Sequence, residues 1–228
     1  MKKLLLLSLL TLSGAASLRA AESRGPRTEY VTRVETCEAI LQDFMGNPAT
    51  AIPAAVLERA RALVIVNQFK AGFVLGVKDG YGVILAKKAD GRWSVPVIIT
   101  AGEASLGLQL GVKSLETVMV ITDDATIRLI FDQRFNVGVD AKAVAGPHAA
   151  GGEDNNQPII AAPVLVYSKS KGLYAGATLK VGYLARADTA NFVLYNTAYT
   201  LPEILYSDWV QPVPEVVPLM NYMQKIAP

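Results

Sequence analysis

One cysteine and one histidine stand among the 228 residues, and that scarcity excludes several classes of chemistry. Cys37 alone can form no internal disulfide. A zinc site, a Ser-His-Asp triad or a Cys-His pair would each need His148 to serve without a second histidine, and its sequence neighbours supply no other ligand or base. His148 reads as a solvated or loop-packing residue. Neither G-x-G-x-x-G nor a P-loop occurs, so nucleotide binding has no motif behind it. Ser168-Lys169-Ser170-Lys171 satisfies the S-x-x-K pattern of penicillin-binding enzymes, yet it precedes a β run instead of opening a helix, and Ser-Asp-Asn and Lys-Thr-Gly are absent. No catalysis, cofactor or metal is expected.

Charge is sparse too. Charged residues make up 18% and apolar residues 51%, which fits a large core and argues against disorder. Residues 1–21 read as a secretory signal, with Lys2 and Lys3 as the basic start, Leu4 to Leu12 as the apolar stretch and small residues from Ser13 to Ala21. The apolar stretch is too short for an ordinary membrane span. Cleavage near Ala20 or Ala21 removes Lys2, Lys3 and Arg19, taking 22 basic residues to 19 against 20 acidic. A near-neutral exported chain lacks the basic footprint of a nucleic-acid binder. Cys37 lies well beyond the signal and follows Glu35-Thr36, so it is no lipoprotein anchor; it reads as a small buried residue on a helix. A periplasmic or secreted location is expected, with residues 22–228 as a single domain.

Tyr30, Val34, Cys37, Leu41 and Phe44 recur at 4-3-4-3 spacing and predict a helix from about Thr28 to Met45, ended by Gly46-Asn47-Pro48. A shorter helix is expected from Pro53 to about Ala62. From Leu63 the period becomes that of strands. Leu63 to Val66, Trp93 to Thr100, Ser105 to Val112, Glu116 to Thr122, Ile159 to Ser168, Gly172 to Thr178 and Lys180 to Arg186 are expected strands, with a helix capped by Thr122-Asp-Asp and others opening at Pro202 and at Pro214 or Pro218. The resulting class is α+β: N-terminal helices on a strongly curved, glycine-rich antiparallel sheet, barrel-like if it closes, followed by short C-terminal helices.

The stretch from Lys70 to Ala86 carries glycines at 72, 76, 80 and 82, which alternation puts on one strand face. Asp79-Gly80 and Asp90-Gly91 are turn signals that predict hairpins. Gly172, Gly176 and Gly182 repeat the spacing of Gly72, Gly76 and Gly82, as a true duplication or a coincidence would; Gly107 and Gly111 form a further pair. Glycine weakens a strand, so its repeated use points to curvature or close approach of another chain segment. The Gly172 segment is the expected cover of this bare face, with a bound lipid or the neighbouring sheet as the other readings. Lys70 and Lys171 sit at the entrances of the two glycine segments, with Lys169 and Lys180 nearby, where they could flank an anionic site. Glu103, between Gly102 and Ala104, reads as a solvated loop acid, or as a buried one.

Five stretches, in order, resemble one family. Lys70-Ala-Gly-Phe to Gly82-Val, Trp93-Ser-Val-Pro, Ser105-Leu-Gly-Leu-Gln-Leu-Gly, Gly138-Val-Asp-Ala to Ala145-Gly-Pro, and Tyr167-Ser-Lys-Ser-Lys-Gly-Leu-Tyr-Ala-Gly are similar to motifs of the SYLF domain family. The likeness covers about residues 35 to 200. It implies a non-catalytic module that binds phospholipid or phosphoinositide, with actin binding in the eukaryotic relatives. Two departures are visible: Glu103 replaces part of a glycine-rich step, and His148-Ala-Ala-Gly stands where a basic residue is often found. The resulting expectation is an envelope module for anionic phospholipid or a membrane surface, its head group held by Lys70, Lys169, Lys171 and Lys180. Actin binding is not expected in that compartment. The alternative is an envelope structural or protein-interaction domain that binds another protein of the envelope.

Overall fold

A computed structural model of the chain describes residues 26–71, 75–106, 113–131, 134–146, 161–170 and 182–228. The first helix, α1, runs from Arg27 to Gly46 and buries Tyr30, Val34, Cys37, Leu41 and Phe44 together with Val31 and Ile40. The 4-3-4-3 stripe is therefore the helix face that meets the core. A single turn of helix, α2 (Ala54–Leu57), follows.

Among the described residues, eight strands then build one curved sheet. They are β1 (Ala62–Ala71), β2 (Leu75–Ala86), β3 (Val97–Leu106), β4 (Lys113–Ile121), β5 (Arg134–Asn136), β6 (Ala143–Ala145), β7 (Val164–Ser170) and β8 (Tyr183–Arg186). Their order is β5-β8-β3-β2-β1-β4-β7-β6. All neighbours are antiparallel except β6 and β7. Helix α3 (Asp124–Ile130) lies between β4 and β5. Its first turn is capped by Asp123, whose carboxylate accepts from the Thr126 N–H at 2.8 Å. The C-terminal part adds α4 (Asp188–Tyr195), α5 (Leu201–Tyr206), a 3₁₀ turn (Pro214–Val216) and α6 (Val217–Ile226).

Helices cover both faces of the sheet, which explains why its central strands are apolar without alternation. Leu63, Ile65, Val83, Leu85, Ile98, Val118 and Val120 meet α1, α4 and α6. Val64, Val66, Ile84, Ile99, Met119 and Val166 meet residues of α3 and α5, such as Ile127, Ile130 and Leu205. Burial of each such side chain contributes about 1.5–3 kcal/mol.

Two expectations about turns separate here. Asp90-Gly91 does turn the chain, with Gly91 at φ +84° and the Lys88 N–H bonded to the Arg92 carbonyl at 2.8 Å. Asp79-Gly80 does not: both residues lie inside β2, opposite Phe69 and Gln68 of β1. The apolar length of β1 demands an equally long partner, and that non-local pairing overrides the local turn preference of Asp-Gly. Gly82 shows why glycine is used in β2, because a Cβ there would collide with the Ile65 carbonyl oxygen of β1. The two segments expected as separate strands on either side of Gly102 are one strand, β3, so Glu103 is a mid-strand residue and not a loop acid. The signal at 1–21, the Gly172 and Gly176 repeat, Gly72, Gly107, Gly111, Lys171, Lys180 and His148 lie outside the described residues. Gly76 lies in β2, and Gly182 directly precedes β8.

Candidate anion-binding site

Polar residues gather at the end of the sheet where β1 finishes and β2 begins. Register sets Lys70 of β1 directly opposite Lys78 of β2 on one side and Lys113 of β4 on the other. Three lysines thus occupy one row across three neighbouring strands. Glu103 of β3 faces Lys78 and ends the row. Like charges set directly opposite on adjacent strands destabilise a sheet.

Two residues closer to the core, the next row reads Ala101, Gly80, Gln68, Leu115 and Ser170. Gln68 is fully buried, and neither atom of its carboxamide has a hydrogen-bond partner among the described residues. An amide left so costs about 1–3 kcal/mol. Gly80 makes room for it, since a Cβ at position 80 would stand 2.8 Å from the Gln68 Cγ. One row further in, Ile99, Gly82, Val66, Thr117 and Ser168 follow. The hydroxyls of Thr117 and Ser168 bond each other at 3.1 Å. Along this face the sheet therefore passes from aliphatic, through small and uncharged polar residues, to lysine.

Lys169 belongs to a different arrangement. It sits opposite Glu116, which sits opposite Asn67. Asn67 and Lys70 are separated by an odd number of residues, and alternation assigns their rows to opposite faces. The Lys169 ammonium pairs with the Asp43 carboxylate of α1, lies 3.8 Å from Glu116 Oε2 and stands 5.6 Å from the centre of the Phe44 ring. Two carboxylates offset its charge, and it ties β7 to α1. The structure does not bring Lys169 and Lys70 together. Ser168, the serine of the S-x-x-K pattern, lies mid-strand, away from any helix start.

Lys113 and Gln68 were missed in the sequence. Both depend on register, and only the pairing of β1 with two partners at once reveals the row. Among the described residues no cluster of three or more His, Cys, Asp or Glu residues could hold a metal ion. No described helix is long and apolar enough to cross a membrane.

A second surface feature lies near the C-terminus. Trp209 is 62% exposed and Tyr199 43%, and their rings sit 5.2 Å apart at 47°. They border an open groove of about 690 Å³ that also includes Tyr195 and Gln211.

The profile of the Ysc84 family, described as "Las17-binding protein actin regulator", matches residues 102–226. The chain is 33% identical over 179 residues to LAS seventeen-binding protein 3 of Saccharomyces cerevisiae, covering 77% of this chain and 39% of that protein. It is 30% identical over 179 residues to SH3 domain-containing YSC84-like protein 1 of Bos taurus, covering 76% and 52%. An SH3 domain-containing protein of Schizosaccharomyces pombe is 32% identical over 164 residues, covering 71% and 38%. The chain thus spans about half, or less, of the length of these relatives. Their names describe binding and regulatory proteins.

Proposed function

The chain belongs to the Ysc84, or SYLF, family, and from that premise we propose that it is a non-catalytic module for anionic phospholipid, exported to the periplasm or beyond once residues 1–21 are removed. The observation that carries the reading is the Lys78–Lys70–Lys113 row. Lys70 holds its centre, so the head-group phosphate is assigned there. The buried carboxamide of Gln68 lies one row inward, where the glycerol or ester region of a lipid offers hydrogen-bonding groups. Lys171, next to the end of β7, and Lys180 are assigned supporting roles. Lys169 is assigned a structural one.

Sedimentation with phosphatidylcholine vesicles, with and without phosphatidylglycerol, tests this. The protein is expected to pellet only with the anionic vesicles, and Lys70→Ala/Lys113→Ala is expected to weaken that binding several-fold and to flatten its salt dependence. Equal and negligible binding to both vesicles would overturn it.

The Tyr199–Trp209 shelf favours a second reading, a protein-interaction surface, because exposed paired aromatics are common binding anchors. The relatives' names point the same way. Capture of an envelope protein that is lost with Trp209→Ala, in a protein that ignores vesicles, would replace the lipid reading with this one.

A further inference from the structure

A second cationic site lies at the other end of the sheet. Arg59 and Arg61 precede β1, and Lys87 and Lys88 follow β2. Because Ala62 pairs with Ala86, the antiparallel register brings these two basic strand ends together. The Lys87 N–H donates to the Arg61 carbonyl at 2.8 Å, and the Arg61 N–H donates to the Ile121 carbonyl at 2.8 Å. The backbone under the arginines is therefore fixed by both neighbouring strands. Arg59, Arg61, Lys87 and Lys88 line an open cavity of about 370 Å³, with Glu58 as its lone acidic side chain and Thr122 also in its wall.

The four cations differ in what they already hold. Lys88 donates to Asp208 at 2.7 Å and to the Ser207 carbonyl at 2.8 Å. Lys87 donates to the Pro228 carbonyl and lies 6.0 Å from the Trp93 ring centre. These contacts fix both lysines. Arg59 and Arg61 are exposed, and neither has a carboxylate within salt-bridge distance among the described residues. Arg27, Arg33, Arg92 and Arg186 all do. Two free guanidinium groups beside two anchored ammonium groups, in a concavity with one carboxylate, make a receptor for a compact anion. A guanidinium offers paired N–H donors that match two phosphate oxygens, so phosphate is favoured over a halide or a single carboxylate.

We propose that this cavity binds a phosphate group, carried by a soluble ligand or by a lipid head group, at a site separate from the lysine row. Lys87 lies nine positions along the chain from Lys78, or roughly 30 Å at the rise of a strand. One head group cannot span that distance, and the proposal stands whether or not the lysine row binds lipid.

The test uses the signal-free chain with inorganic phosphate, followed by backbone amide NMR, and with phosphatidylcholine vesicles that contain or lack phosphatidic acid. Phosphate is expected to shift the amides of Ala60, Arg61, Lys87 and Thr122. Arg59→Ala/Arg61→Ala is expected to weaken phosphate binding about tenfold or more, the size of one lost charge-assisted pair. Arg59→Lys/Arg61→Lys should recover part of it, and the shifts at these four amides should persist in Lys70→Ala/Lys113→Ala. Both arginines are exposed, so an unaltered melting temperature checks that the fold is kept. With the lysine row removed by Lys70→Ala/Lys113→Ala, loss of phosphate binding on adding Arg59→Ala/Arg61→Ala with vesicle binding unchanged assigns the site to a soluble ligand; loss of both assigns it to a head group. Phosphate and vesicle binding that survive Arg59→Ala/Arg61→Ala undiminished would overturn the proposal, as would the absence of phosphate-induced shifts at this end of the sheet.

Discussion

The side-chain amide of Asn191 pairs with both main-chain groups of Ile98: Oδ1 accepts from its N–H and Nδ2 donates to its carbonyl, each at 2.8 Å. Strand β8 covers β3 only from Ile99 to Gly102, so Ile98 lacks a strand neighbour on that side. Asn191, projecting from α4, takes that neighbour's place. It is 4% exposed and also donates to the Ala187 carbonyl at 3.1 Å. Replacement with leucine, close in volume, strands two buried main-chain groups, at about 1–3 kcal/mol each. Asn191→Leu is expected to destabilise by about 2–5 kcal/mol in urea unfolding, with little change in the denaturant slope. A loss below about 1 kcal/mol would mean that the pairing is incidental.

Cys37 gives a probe of the core. Its sulfur is fully buried under α1 and lies 3.8 Å from the Ile65 carbonyl oxygen. Burial pushes the thiol up to about 12. At pH 8 the native protein holds almost no thiolate, and the thiolate is the reactive form. Iodoacetamide is expected to modify Cys37 only through global unfolding, at a rate that rises with urea in step with the unfolded fraction. Rapid alkylation of the native protein would contradict the packing of α1 on the sheet.

The acid limb of stability is set in part by Glu215. Arg27, the first residue of α1, donates to both Glu215 carboxylate oxygens, at 2.6 and 3.0 Å. The hydrogen bonds from Arg27, foremost, hold the carboxyl down at about 2 from a usual 4.5. A depressed folded value means that ionised Glu215 favours the folded state. Its contribution is complete above about pH 4.5 and is lost as pH falls toward 2. Asp208 and Glu203 are lowered as well, by Lys88 and by the Thr200 cap respectively, and act in the same direction. Glu38 is raised, first by burial and then by Glu35, and opposes them. The difference between parent and Glu215→Gln isolates one group: their melting temperatures should differ at pH 6 and converge toward pH 2. A gap that stays constant with pH would assign the effect to packing.

What was legible in the sequence follows the range of the interaction. The α1 face, the β4 strand, the cap at Asp123 and the helix opening at Pro202 rest on neighbours within one turn or one strand, so local pattern and capping signals found them. Helix α4 was missed because Thr189, Phe192 and Val193 are weak helix formers and its hold on the sheet comes from Asn191 reaching Ile98. The Asp79-Gly80 turn was misplaced because a local preference met a longer apolar pairing. The cationic sites depend most on tertiary structure. Lys169 looked free in the sequence, yet its carboxylate partners Asp43 and Glu116 come from distant elements. Arg61 and Lys87 meet only once β1 and β2 are in register. A slip of one residue would reverse every assignment of face.

The lysine row predicts a conflict between stability and binding. Lys70 has a lysine directly opposite on each side, Lys78 in β2 and Lys113 in β4. Each like-charged cross-strand pair costs roughly 0.2–1 kcal/mol, less at high salt. Lys70→Gln removes both pairs while keeping a long polar side chain, so the ligand-free protein should gain about 0.5–2 kcal/mol at low salt. The gain should shrink as salt rises, because screening already relieves the parent. Vesicles that contain phosphatidylglycerol should reverse the ranking: the parent gains stability from a bound anion, and Lys70→Gln gains less. Urea unfolding of both proteins at low and high salt, with and without such vesicles, measures each term. If Lys70→Gln is less stable than the parent at low salt, the row is not repulsive, and the argument that an anion belongs there fails with it.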